Sequence, residues 1–319
     1  MLLSQSSTIP QGPGKRLVLS ALVGAYIWCG RLTLAWRCLL ASAKRLVYYV
    51  RGVHLLVLEK ISDPPVESLR LVALAAGGAT FKMALATPGL IEDHIIRDAC
   101  WEPQLMELMA VLIRPNSVFV DVGANIGFHS LHIAARNPET RCHAFEPHPE
   151  IFRQLTRNTF LSALKNVTLH HHALAGTRRE GVFYLQDASA YNRGLSSSIP
   201  HSDLKNRWQE ACVRFEPLDA VLSDLDRVAV SLIKIDTQGT EREVLAGAQR
   251  TVSEARPAIL FEFESRYHAD PAREIQAILS LLPKYEIFCL KPTISEMRRF
   301  DVADVNDGPF EGDLVCLPL

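Results

Sequence analysis

The chain has 319 residues, 48% hydrophobic and 22% charged, values of an ordinary globular protein that exclude a collagenous, a disordered and a disulfide-scaffold chain. At that length one large domain or two modest ones are expected. Lys and Arg number 34 against 35 Asp and Glu, yet residues 1–60 hold eight basic side chains and the single acid Glu59, a net +7 that leaves −8 on the rest.

The acidic remainder is a poor match for phosphate-rich nucleic acid, so nucleic acid is not an expected partner. The seven cysteines show no C-x-x-C pair and no zinc-ligand spacing, which points to reduced thiols in a cytosolic domain.

In chain order, the uncharged stretch Leu17 to Gly30 covers 14 residues, too short for the roughly 20 that cross a bilayer. Beyond it, Arg37, Lys44 and Arg51 fall on one stripe of a helical wheel, widened by Arg31 and Arg45, and Leu32, Trp36, Leu39, Leu46, Val47 and Val50 fall opposite. Three readings fit this basic amphipathic helix. It can lie on an anionic membrane surface, giving peripheral membrane contact through residues 17–51; it can pack on the main domain; or it can be a signal peptide, for which Ala41-Ser42-Ala43 lies too far from the apolar run. Pro64-Pro65 then marks a linker, so residues 1–66 are expected to form a helical extension and 67–319 the main domain.

From about residue 113 short apolar strands alternate with helices: strand 117–122, helix 128–136, strand 141–146, helix 149–162, strand 167–173, strand 230–236, helix 242–254, strand 258–264 and helix 271–282, with closing strands at 286–290 and 313–317. Such alternation predicts an α/β fold with right-handed crossovers and a mostly parallel sheet covered by helices on both faces. Ligands of such sheets bind beyond the carboxyl ends of the strands. Those ends carry Asp121-Val-Gly-Ala-Asn-Ile-Gly127, Glu146-Pro147, Asp236-Thr-Gln-Gly239 and Glu262-Phe-Glu264.

Gly123 and Gly127 permit a tight turn and close backbone approach, and Glu146 can accept hydrogen bonds from ribose hydroxyls or, alternatively, favour a helix N-terminus. A nicotinamide dinucleotide would fit that much. Asp121 separates the cases, because a carboxylate beside the glycine turn repels a pyrophosphate but attracts the α-amino group of S-adenosyl-L-methionine.

The stretches Trp101-Glu-Pro103, V-F-V-D-V-G-A-N-I-G-F-H-S (118–130), H-A-F-E-P-H-P-E (143–150), L-I-K-I-D-T-Q-G-T-E-R-E-V-L-A-G-A (232–248) and F-E-F-E (261–264) resemble the FkbM-type methyltransferases of the class I S-adenosylmethionine-dependent superfamily. The resemblance implies a seven-stranded Rossmann-like sheet and O-methyl transfer to a sugar or other hydroxylated small molecule; the basic N-terminal helix adds a lipid-linked acceptor to that class. It also implies that Asp121, Gly123, Asn125 and Gly127 hold the methionine part of the cofactor and Glu146 its ribose. The family often has Glu where Gln238 stands, which questions any role that needs that carboxylate here.

Asp236, at a strand end, is the first candidate to take the acceptor's proton; bracing the loop is the competing role. Thr240 and Glu243 form a T-x-x-E capping box that can start the next helix without it. Glu264 and His129 are further candidates. Two scattered carboxylates are a weak metal signal, so no metal is assigned. His170-His171-His172 alternate across a strand and are read as structural, and the polar insertion Asp187 to Ala211 is expected to contact the acceptor. Two other function classes stay open, a nicotinamide-dependent oxidoreductase and a non-catalytic cofactor-binding or membrane-adaptor protein. The expected location is the cytoplasm, with or without the membrane contact.

Overall fold

A computed structural model of the chain describes residues 46–50, 53–62, 68–186, 191–199, 208–291, 294–306 and 308–319. The compact unit Val47–Leu319 contains nearly all of them. Most of the amphipathic helix expected over 17–51 lies outside the described residues; its last part does not hold, because Leu46–Val50 is strand β1. β2 (Val53–Ser62), β3 (Ser68–Ala76) and β4 (Ala79–Thr87) follow, and the four make one sheet in sequence order. The sequence suggests this in retrospect: Ser68–Thr87 is rich in small and apolar residues and turns at Gly77-Gly78, both with positive φ. β2 pairs antiparallel with β3 on the far side of Pro64-Pro65, so the strand pattern crosses the boundary expected at residue 66.

Among the described residues the central sheet has eight strands rather than seven. They are β5 (Val118–Val122), β6 (Arg141–Phe145), β7 (Val167–His170), β11 (Val230–Ile235), β12 (Ala258–Glu264), β13 (Tyr285–Lys291), β14 (Ile294–Arg299) and β15 (Glu311–Pro318). Their order is β14-β13-β15-β12-β11-β5-β6-β7. β12, β11, β5, β6 and β7 run parallel, and β15, β13 and β14 add three antiparallel strands, with β15 inserted between β12 and β13. The extra strand, β14, is the edge that apolar pattern alone does not mark, since its sequence ISEMRR is mostly polar. The mostly parallel, helix-covered α/β sheet is the fold that the alternation predicts. Between β7 and β11 the chain forms a second small sheet of β8 (Ala173–Leu174), β9 (Arg179–Gln186) and β10 (Trp208–Glu216).

Helices α1 (Leu90–Asp98), α2 (Pro103–Leu112), α3 (Phe128–Arg136) and α4 (Pro149–Ser162) precede β7. Short α5 (Leu218–Val221) and α6 (Asp224–Ala229) precede β11. The single helix expected over 242–254 is two, α7 (Glu241–Ala246) and α8 (Gln249–Ala255). They part at Gly247, where a Cβ would come within 2.2 Å of the Ala175 carbonyl oxygen; backbone approach at that distance leaves room only for glycine. The expected capping box does not form, because the Thr240 side chain accepts no cap hydrogen bond. Glu241 does the work instead, accepting from the Gly239 N–H and the Thr237 hydroxyl at 3.0 Å each.

β5, β11 and β12 are buried on both faces, as a doubly covered parallel sheet requires. Val118, Val120, Val122, Ile233, Ile235, Ile259 and Phe261 point into one core layer, and Phe119, Leu232 and Leu260 into the other, with α1, α2, α3 and the β3–β4 hairpin. Asn158 of α4, fully buried, locks that hairpin to the glycine turn: its side chain accepts from the Ala84 N–H at 2.8 Å and donates to the Ile126 carbonyl at 2.9 Å.

Candidate active site

β5, β6 and β7 step outward in one direction, and β11 returns on the other side of β5. This reversal opens a crevice at the carboxyl ends of β5 and β11. A cleft of about 610 Å³, open to solvent, lies there, with Gly123, Asn125, Glu146 and Asp236 in its wall. Four of the eight sequence-predicted site residues therefore meet in one place.

The glycine turn is built for contact. Gly123 has φ +78°, and a Cβ there would sit 1.9 Å from the Asp236 carbonyl oxygen, so the ends of β5 and β11 touch backbone to backbone. Gly127 has φ +94°, and its Cβ would strike Leu155 at 2.5 Å. It does not reach the cleft wall; it lets α3 begin against α4. Asn125, itself at φ +51°, caps the Ile126 N–H through its side chain at 2.8 Å.

Glu146 takes the helix-terminus role. Its Oε1 accepts from the His148 N–H at 2.8 Å at the start of α4, and its Oε2 accepts from the Asn125 N–H at 3.0 Å, which ties β6 to the glycine turn. Each oxygen keeps a second lone pair for a ligand hydroxyl. Burial pushes its pKa up to about 7, against the two backbone hydrogen bonds.

Asp121 is fully buried behind the turn. It accepts from the Ser130 hydroxyl at 2.6 Å and lies opposite Lys234 in the β5–β11 register, with Nζ 3.9 Å from its Oδ1. Because side chains alternate along strands, Asp121, Lys234, Asp236, Glu262 and Asp313 share one face at the same end of adjacent strands. Lys234 is the buried cation of that row, 3.4 Å from Asp236 Oδ2. Burial alone would lower its pKa, but Asp236, Asp121, Glu102 and Glu262 outweigh burial and hold it above the ordinary lysine value. Glu262 is pushed the other way for an acid, up to about 9, first by burial and then by Asp236, Glu264 and Asp313. Burial, then Glu102, lifts Asp313 to about 7.

Gln238 explains why an amide is tolerated where a carboxylate is common. Its Nε2 donates to Asp236 Oδ1 at 2.8 Å and to Glu262 Oε2 at 3.2 Å, and its Oε1 accepts from the Tyr267 hydroxyl. A third carboxylate here could donate to neither neighbour.

The other two proton-transfer candidates sit apart from the cleft. His129, buried on α3, pairs with Glu102 at 3.2 Å, and Glu264, at the end of β12, pairs with Arg266. Glu102 comes from the Trp101-Glu-Pro103 turn, where it holds φ +49° at the start of α2. Sequence pattern alone does not single out Lys234, Glu102 and Glu262, which surround Asp236 electrostatically. A lysine inside the apolar strand L-I-K-I was the available signal, because a charge there has to be paired.

The remaining cleft wall is aromatic and small. Phe145, Phe183 and Phe215 line it with His172, and Gly194, Ser196 and Ser198 of the insertion cover it. The insertion is held down by Ser197, whose hydroxyl donates to the Gln238 carbonyl at 3.0 Å, and by Tyr191, whose carbonyl accepts from the Leu90 N–H at 2.8 Å.

The family model described as the methyltransferase FkbM domain matches residues 121–288. This chain belongs to the FkbM methyltransferase family. It is similar to the 2-O-methyltransferase NoeI of Sinorhizobium fredii, 27% identical over 58% of this chain and 79% of NoeI. It is also similar to the 31-O-demethyl-FK506 methyltransferase FkbM of Streptomyces tacrolimicus, 29% identical over 58% of this chain and 76% of that one. A crystal structure of methyltransferase FkbM from Methylobacillus flagellatus aligns with 66% of this chain and 50% of that chain, at 19% identity and a TM-score of 0.40.

FkbM-type methyltransferases use S-adenosyl-L-methionine. The FkbM cleft here fits that molecule: a carboxylate at the end of β6, an aromatic wall, and acid groups suited to a cation. Among the described residues no group of three or more His, Cys, Asp or Glu side chains could hold a metal ion.

Proposed function

We propose that this methyltransferase methylates a hydroxyl oxygen on a small or lipid-linked hydroxylated acceptor, such as a sugar, with Asp236 as the proton acceptor. The observation that carries the reading is the place of Asp236: in the cleft wall, one residue past β11, against the glycine turn, and fixed from behind by Lys234 and Gln238. When bound, S-adenosylmethionine supplies a methyl group already activated on a sulfonium. The protein's work is then alignment and removal of the hydroxyl proton.

Gly123, Asn125 and Glu146 would hold the cofactor in the cleft, while Asp121, behind the turn, keeps its shape and adds negative charge. Asp236 Oδ2 or Oδ1 would take the proton as the acceptor oxygen forms its new bond to carbon. Lys234 and Gln238 hold that carboxylate in one orientation, and Gly194, Ser196 and Ser198 line the cleft beside it. The two O-methyltransferase relatives support the choice of oxygen as the acceptor atom.

Calorimetric titration of the full chain with S-adenosylhomocysteine tests the reading. One-site binding that NAD does not displace is the expected result; no binding, or displacement by NAD, would reject it.

The membrane contact is also our proposal, resting on the +7 of residues 1–60. Among the described residues no helix is long and apolar enough to cross a membrane. The full chain should co-sediment with anionic vesicles and not with neutral ones, and equal recovery with both would end the idea.

A further inference from the structure

Asp236 is reached by a chain of hydrogen bonds that begins outside the cleft, at the turn Ser265–Tyr267 after β12. Gly239, with φ +98°, lets that turn close on the loop after β11, since a Cβ on Gly239 would lie 2.8 Å from the Tyr267 Cβ. Arg266 Nη2 donates to the Tyr267 hydroxyl at 2.9 Å. The hydroxyl donates to Gln238 Oε1, and Gln238 Nε2 donates to Asp236 Oδ1 at 2.8 Å and to Glu262 Oε2 at 3.2 Å. Tyr267 is not in the wall of the cleft, so what it contributes to the site passes through Gln238.

The direction of this chain is set at both ends. A guanidinium can only donate, so the phenol oxygen accepts from Arg266 and its single proton is left for Gln238. Burial, then Glu264, raises the Tyr267 pKa, so the phenol keeps that proton. An ionised carboxylate can only accept, so the amide turns its Nε2 to Asp236. An inverted amide would set Oε1 against the carboxylate and Nε2 against the phenol proton, two like-with-like contacts in place of two hydrogen bonds. The Gln238 backbone is held too: it has φ +56°, and its carbonyl accepts from the Ser197 hydroxyl at 3.0 Å.

We propose that Tyr267 is a positioning residue for methyl transfer: anchored by Arg266, its hydroxyl sets the orientation of the Gln238 amide and so keeps a donor on Asp236. The proposal rests on the reading of Asp236 as the proton acceptor. Without the hydroxyl, Gln238 is free to turn over, and Asp236 exchanges a donor for a carbonyl oxygen. Loss of a donor disfavours the charged form of a carboxylate. The charges that face Asp236 stay in place: Lys234 on its own strand, Glu262 of β12, Asp313 of β15, Glu241 of α7 and Glu146 after β6. Asp121 of β5 and Glu102 of α2 act on the same lysine.

The test follows the side-chain carboxyl carbon of Asp236 by NMR in the full chain carrying isotope-labelled aspartate, the signal being assigned by its absence from Asp236→Asn. In Tyr267→Phe it should titrate about one pH unit higher than in wild type, the size of one hydrogen bond to a charged group. S-adenosylhomocysteine should bind that variant within about twofold of wild type. Gln238→Met, which removes the donor outright, should move the titration in the same direction, and adding Tyr267→Phe to it should move it no further. An unmoved titration in Tyr267→Phe overturns the proposal, as does an equal shift from Tyr267→Phe with Gln238 present and absent. Loss of S-adenosylhomocysteine binding in Tyr267→Phe overturns it as well, because the residue would then shape the cleft itself. If Tyr267→Phe does not fold, an unmoved titration in Gln238→Met is equally decisive against it. The proton-acceptor reading is judged separately, by turnover of Asp236→Asn: turnover retained there overturns that reading and the catalytic role of Tyr267 with it, whatever the titration shows.

Discussion

Asp236→Asn should lower turnover by about 10²- to 10⁴-fold, the usual worth of a positioned general base, while S-adenosylhomocysteine binds within about threefold of wild type. The substitution keeps the shape of the side chain and removes its proton affinity. Asp236 accepts from Gln238 Nε2 at Oδ1 and faces Lys234 at Oδ2. An amide can keep one of these contacts through its oxygen but must turn an N–H toward the other donor, so a modest loss of stability is expected beside the large loss of rate. The backbone of Asp236, which meets Gly123, is untouched. Single-turnover kinetics with the acceptor and calorimetry with the product cofactor separate the two effects. Turnover within tenfold of wild type would return Asp236 to the bracing role.

Lys234→Met should destabilise the protein by about 3–5 kcal/mol, the cost of stripping a buried charge of its partner. Methionine matches the lysine stem in length and apolar character, so packing changes little. What is lost is the cation that, among the described residues, pairs with Asp121 and Asp236 and is felt by Glu102 and Glu262. Asp121 bears most of the cost: it is fully buried, and its Oδ1 has no hydrogen-bond partner among the described residues. The double variant Asp121→Asn with Lys234→Met should recover part of the stability, because it removes the orphaned charge with its partner. Urea denaturation followed by far-ultraviolet circular dichroism reads both. A loss below about 1 kcal/mol in Lys234→Met would mean that water already serves these carboxylates.

Both predictions concern one row of side chains, and the row shows where sequence reading stopped. Asp121, Glu146 and Asp236 stand out because they end apolar strands, and strand ends are where such sheets bind ligands. Lys234, Glu262 and Asp313 carry the same parity but belong to three strands whose order the sequence does not state. Only the pairing β5–β11–β12–β15 brings them side by side. The pairing of Glu102 with His129 is hidden for a similar reason: they lie 27 residues apart in sequence, and their contact depends on how α2 and α3 cover the sheet. Gly127 and Glu264 were placed correctly on their elements, yet neither lines the cleft. Position along the chain does not tell which side of a turn faces a ligand.

The segment before residue 113 was the least legible. Helical periodicity of Lys and Arg pointed to a helix through Arg51, whereas Leu46–Val50 is a strand. L-V-Y-Y-V is β-branched and aromatic, so local propensity supported the strand and the charge pattern obscured it. The β3–β4 hairpin was missed because its alternation is diluted by alanines, while its burial comes from α3 and α4.

By itself the sequence determined the α/β alternation, the central helices at 128–136 and 149–162, the glycine turn and the acid groups at the strand ends, because these follow from periodicity and local backbone chemistry. The tertiary structure alone decided which of those groups share a cleft. It set Lys234 among the carboxylates, turned Gln238 into their donor, and brought His172 into the wall, because strand order and side-chain facing are set by long-range packing that no local pattern encodes.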